Sequence, residues 1–119
     1  MRESPLKTKS YSFSIRIVRL SQFLINYKKE FVLSKQVLRS GTAIAALIRE
    51  AEFGQSKADF INKLSISLKE ANETEYWLSL LKDTGYISQK EFLSLSIDCK
   101  EMIKLLVTSI KTAKNNSSH

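Results

Sequence analysis

Residues 88–113, SQKEFLSLSIDCKEMIKLLVTSIKTA, decide the fold. Phe92, Leu95, Cys99, Met102, Leu106 and Ala113 fall at steps built from three and four, with Ile103 and Ile110 beside them. Such steps return side chains to one side of an α-helix, so a single apolar stripe runs the length of the segment. A helix with one such stripe is stabilised mainly by whatever covers it. Ser88 and Glu91 stand three apart just ahead of the first apolar residue, the pattern of a capping box. The expected helix covers 89–114, and the polar end KNNSSH is expected to fray.

Working back along the chain, the same period recurs. Phe60, Leu64, Leu68, Ala71, Leu78 and Leu81 predict a helix over 57–84, capped by Ser56 with Asp59 three residues on and closed by DTGY at Gly85. Val37, Leu38, Gly41, Ile44, Ile48 and Ala51 predict one over 35–53. Its expected N-cap is Ser34, and its expected stop is Gly54 in a left-handed backbone. Phe13, Ile17, Leu20, Leu24 and Tyr27 predict a first helix over 10–28. One Pro and three Gly in 119 residues leave these runs uninterrupted. No strand-like alternation competes. Long helices with short links pack antiparallel, so the expected fold is all-α: one domain, an up-down-up-down four-helix bundle.

Two of the helices carry more apolar surface than a bundle stripe needs. Ala43, Ala46 and Leu47 lie off the stripe of the second helix, and Tyr76 and Trp77 lie off that of the third. Contiguous apolar surface of this kind marks a protein interface. These five residues are the expected contact between copies of the chain, with Gly41 and the alanines allowing a second backbone to come close.

The formal net charge is +7, and residues 1–57 carry all of it, with eleven Lys or Arg against four acids. On the first helix Lys9, Arg16 and Arg19 recur with Ser12, Gln22 and Asn26 as a polar face without acids, and Lys29 follows it. Lys35, Arg39 and Arg49 extend the charge onto the second helix. Arg and Lys in this pattern suit phosphate, so nucleic acid is the expected partner, bound through Lys9, Arg16, Arg19, Lys29, Lys35, Arg39 and Arg49. No aromatic residue interleaves with the basic face, so phosphate contact rather than base stacking is expected. The alternative is an adaptor whose basic face meets a protein partner.

Catalysis has little to work with. The one histidine, His119, is the last residue. The one cysteine, Cys99, sits on a core position without a partner base. Neither zinc spacing nor a phosphate loop is present, and no cofactor is expected. A lone cysteine, no signal-peptide pattern and no apolar run of membrane-spanning length point to a soluble cytoplasmic protein. Glu70 is a candidate partner for Arg49.

The segment VLSKQVLRSGTAIAALIREAEFGQSKADFINKLSISLKEANETEYWLSLLKDTGYI strongly resembles the four-helix bundle protein family, the 23S rRNA intervening-sequence proteins. The shared pattern is LRSGTSIGANI-EA followed by QSKADFI-KLSIALKEA-ET-YWL-LL. The flanks YSFSIRIVRL and CKEMIKLLVTSIKTAK are similar to the family as well. The resemblance implies an antiparallel bundle assembled as a ring, typically a homopentamer, with no established activity. The genes often sit in insertions within bacterial large-subunit ribosomal RNA genes. A related branch, the accessory variability proteins of diversity-generating retroelements, implies binding to nucleic acid and a reverse transcriptase. One segment departs from the pattern: Ala43, Ala45 and Leu47 stand where relatives have Ser, Gly and Asn.

Overall fold

The computed structural model describes residues 4–116. They form four helices: α1 Pro5–Asn26, α2 Leu33–Glu52, α3 Lys57–Asp83 and α4 Gln89–Asn116. Each helix packs on its neighbours in chain order, and α1 closes the bundle against α4. The result is a rod of 52 × 21 × 21 Å. Cross-links fix the directions. Lys7 near the start of α1 meets Glu52 at the end of α2, while Ser21 near the end of α1 donates to the Ser34 carbonyl at the start of α2. Glu50, Ile44 and Ser40 of α2 face Lys63, Ser67 and Thr74 of α3 in reverse order. Ala71 and Glu75 of α3 likewise face Cys99 and Ser96 of α4. All neighbours are therefore antiparallel.

The stripes read from the sequence line the core, except that Tyr27 lies past the end of α1 and is exposed. Phe13, Ile17, Leu24, Ile44, Leu78 and Leu106 are among the fully buried side chains. Several polar groups of the interior bond across helices, while the buried Ser14 and Ser34 hydroxyls have no hydrogen-bond partner among the described residues. Ser67 Oγ donates to the Ile44 carbonyl at 2.9 Å, Thr74 Oγ1 bonds Ser40 Oγ at 2.9 Å, and the Cys99 thiol donates to the Ala71 carbonyl at 3.3 Å. Burying a hydroxyl without such a bond costs about 1–3 kcal/mol.

The ends of α3 and α4 follow the expected chemistry. Ser56 Oγ accepts from the Asp59 amide, and Ser88 and Glu91 exchange both bonds of a capping box. Gly85, at φ 83°, closes α3: its amide donates to Lys82 and the Tyr86 amide to Leu81. Only glycine takes this left-handed backbone without steric cost.

Four expectations at the other ends are corrected. The first helix begins at Pro5 rather than Ser10, because Ser4 Oγ accepts from the Lys7 amide and Pro5 opens the first turn. Ser34 is not the N-cap of α2; it is buried inside the helix. The Glu30 carboxylate caps instead, its Oε1 accepting from the Val32 and Ser34 amides at 3.0 and 2.8 Å. Gly54 does not adopt the left-handed backbone. Space there is tight: a Cβ would stand 3.0 Å from the Asp59 carboxylate and 3.1 Å from the Ala51 carbonyl. The fourth helix continues to Asn116 rather than ending at 114. The rest of the polar end, His119 included, lies outside the described residues.

Gly41 is buried where α2 crosses α1, and a Cβ on it would lie 2.8 Å from both Cγ1 and Cγ2 of Ile17. The close approach foreseen at Gly41 is therefore made by α1 of the same chain. Gly41→Ala is expected to lower stability by ~1–3 kcal/mol through overpacking, since a β-branched Ile cannot rotate away freely. A chemical denaturation midpoint equal to that of the unaltered protein would contradict this.

Candidate nucleic-acid interface

Three of the expected phosphate-binding cations are engaged by acids of their own chain. Lys9 Nζ lies 2.7 Å from Glu101 Oε2. The Arg16 guanidinium lies 2.6 Å from Asp98 Oδ2 and also donates to the carbonyl and hydroxyl of Ser94. The face of α1 that carries no acids thus lies along the acids of α4. Arg39 spans Glu70 and Glu73 on α3. The proposed Glu70–Arg49 pair is not formed, because Arg39 occupies Glu70. Glu73 also accepts from Trp77 Nε1 at 3.0 Å, which fixes the indole. These pairs are about half exposed, so each contributes on the order of 0.2–1 kcal/mol. Their greater effect is to cancel charge locally.

Arg19, Lys29, Lys35 and Arg49 make no salt bridge among the described residues. They do not form one patch. Arg49 lines an open groove of about 1030 Å³ between α1 and α2, beside Tyr11, Ala45, Ala46 and Phe53. Lys29 and Lys35 sit where α1 turns into α2, with Arg19 some 10 Å back along α1 by its rise of ~1.5 Å per residue.

The link 27–32 between α1 and α2 is chemically richer than the spacing of the basic residues suggested. Lys29 holds a left-handed backbone at φ 54°, and the Glu30 amide donates to the Leu24 carbonyl. Glu30, the acid of this link, spends its carboxylate on capping α2. Lys28 Nζ lies 5.8 Å from the centre of the Phe23 ring. Tyr27 is 78% exposed, Phe31 54% and Val32 68%. No aromatic residue lies among Lys9, Arg16 and Arg19 on the acid-free face of α1, but Tyr27 and Phe31 flank Lys28 and Lys29 in the link that follows it. Tyr27 shares the apolar period of α1 and Phe31 lies outside every helix, so the periodicity of one helix face does not join them to Lys28 and Lys29. The signal that does find them is composition: YKKEF combines rings and cations within one short segment.

Of the expected contacts between copies, Ala46 is exposed, Ala43 and Leu47 are half-buried, and Tyr76 stands clear of the bundle. Trp77 rests partly on the core, with its ring edge-on to Tyr76 at 4.9 Å. Neither Leu47 nor Trp77 is enclosed within one subunit.

Cys99 is buried, and desolvation, helped by the negative charges of Glu75 and Asp98, pushes its thiol up to about 12. Among the described residues no three His, Cys, Asp or Glu side chains gather as a metal site. No described helix is long and apolar enough to cross a membrane.

The family described as 23S rRNA-intervening sequence protein matches residues 2–108. A crystal structure from Bacteroides thetaiotaomicron VPI-5482 is 60% identical, covers 89% of this chain and 95% of its own, and superposes with a TM-score of 0.88. It is described as a protein of unknown function from the S23 ribosomal protein family. No curated protein matches.

Two outcomes are expected from these local environments. Arg16→Glu sets a carboxylate against Asp98 and should lower the melting midpoint by a few degrees, about 1 kcal/mol for a partly exposed pair; an unchanged midpoint would mean the α1–α4 pair is unimportant for stability. Native Cys99 should resist a thiol reagent at pH 8 and react once the chain is unfolded, because only thiolate reacts. Since the folded pKa lies above that of the unfolded thiol, stability is full below about pH 9 and declines above it.

Proposed function

The chain belongs to the 23S rRNA-intervening sequence protein family, and from that premise we propose that it is a non-enzymatic homo-oligomeric bundle that binds RNA. The ring of five that the resemblance implies is the assembly proposed, with the reducing cytoplasm as its compartment. The observation that carries the binding reading is the set of cations left over once the internal ion pairs are made. Lys29 and Lys35, with Lys28 between α1 and α2, gather at one end of the rod, and Arg19 follows on α1. Lys9, Arg16 and Arg39 leave the proposed binding set and become scaffold residues. Arg49 stands apart in the groove. Several subunits would present several such ends to one polyanion, raising avidity without new contacts.

Lys29 supports this reading from another side. A lysine in the left-handed region costs on the order of 1 kcal/mol relative to glycine. A charge kept at a strained position fits a role outside folding. For self-association the support is Tyr76 and the partly exposed Trp77 on α3, and on α2 the partly exposed Leu47 with the small Ala43 and Ala46. A second reading, an adaptor for a protein partner, is favoured by Leu93 and Ile97. They stand one turn apart on α4, 47% and 66% exposed.

Lys29→Gly is expected to keep or raise the melting midpoint while weakening binding to a structured RNA severalfold. Combined with Lys35→Gln, it should flatten the dependence of log affinity on log salt by ~0.7–0.9 per lost phosphate contact. Unchanged affinity and slope in the double variant would overturn the assignment. Light scattering at micromolar concentration should give a multiple of the 13.6 kDa chain, reduced to one chain by Leu47→Glu. A monomer before substitution would overturn the assembly.

A further inference from the structure

The turn between α1 and α2 leaves two aromatic rings largely exposed among the described residues. Tyr27 and Phe31 are 78% and 54% exposed, four residues apart, with Lys28 and Lys29 between them and Lys35 just beyond. Apolar rings at the tip of a rod do nothing for its core. Nor is the tip loosely held. The Phe23 ring, half-buried against the core, lies 5.8 Å from Tyr27 with a 31° tilt, so Tyr27 is supported from one side. The Glu30 carboxylate ties the turn to two amides of α2. Lys29 in its left-handed backbone reverses the chain between the two rings.

We propose that this turn binds unpaired RNA bases, with Tyr27 and Phe31 as stacking surfaces and Lys28, Lys29 and Lys35 holding the flanking phosphates. The proposal rests on the RNA-binding reading above and names its substrate class: single-stranded segments, loops and ends. Every base has a face that can stack on a ring, whereas bases inside a duplex are stacked on each other. Cations alone bind a duplex at least as well as a single strand, because its charge is denser. A preference for the single strand therefore reports the rings, not the lysines. A pre-supported ring also loses little freedom when a base covers it.

The test measures fluorescence anisotropy of labelled oligouridylate and of an RNA duplex of equal length, with the full chain at one salt concentration. The unaltered protein should bind oligouridylate more tightly than duplex. Tyr27→Ala with Phe31→Ala should lower oligouridylate affinity at least ~5-fold, leave duplex affinity within about twofold, and leave the melting midpoint unchanged. Tyr27→Trp with Phe31→Tyr should restore the preference. Equal binding of both RNAs, or oligouridylate affinity that survives the alanine substitutions, overturns the stacking proposal, and RNA binding itself still stands if Lys29→Gly with Lys35→Gln weakens both ligands. Failure to bind either RNA overturns both readings, and co-sedimentation with anionic phosphatidylserine vesicles in that case reassigns the turn to a lipid surface.

Discussion

Ile17 resting on Gly41 sets how near α1 and α2 come, and much of the molecule is arranged around that distance. With no side chain at 41, the branched Ile17 side chain fits directly onto the backbone of α2. Packing this close to a backbone gains dispersion contacts along both helices. It also brings Lys7 to Glu52 at one end of the seam and Ser21 to the Ser34 carbonyl at the other. The link 27–32 must then reverse the chain over a short span. A left-handed residue and a side-chain cap are how such a reversal is closed. The geometry of the exposed turn is thus a consequence of a contact in the core.

Charge was harder to read than packing. Lys9 and Arg16 are neutralised by Glu101 and Asp98, which follow them by more than eighty positions in sequence. A stripe without acids on one helix says nothing about the acids of the helix laid beside it. The same holds for Arg39, whose partners are on α3. What stays uncompensated is decided by topology: α1, α2 and their link carry the positive excess, and α3 and α4 supply carboxylates along their lengths but not to the α1–α2 turn.

The apolar periodicity of all four helices was legible because it is local: a stripe at three- and four-residue steps needs only one helix to be seen. The caps of α3 and α4 were legible for the same reason, since Ser56, Ser88 and Gly85 act within a few residues. The start of α1 was missed because Ser4 and Pro5 precede Phe13, the first residue of the apolar stripe, by more than two turns. Glu30 was missed because a cap supplied from outside the helix, in place of Ser34, follows no fixed spacing. Gly54 was read as a left-handed stop, but its surroundings are set by Asp59, which folds back over it and accepts from the Gln55 amide. At the α1–α2 turn the residues were visible and their exposure was not.

The hydroxyls of Ser40, Ser67 and Thr74 have a consequence for alignment. An apolar stripe repeating every seven residues would tolerate sliding one rod past another by about 10 Å, two helical turns, with similar grease against similar grease. Such a slip between α2 and α3 would carry Ser40 away from Thr74 and Ser67 away from the Ile44 carbonyl, stranding hydroxyls in a dry interior. Three small oxygens therefore act as a vernier, admitting a single offset among those that leucine and isoleucine alone would accept.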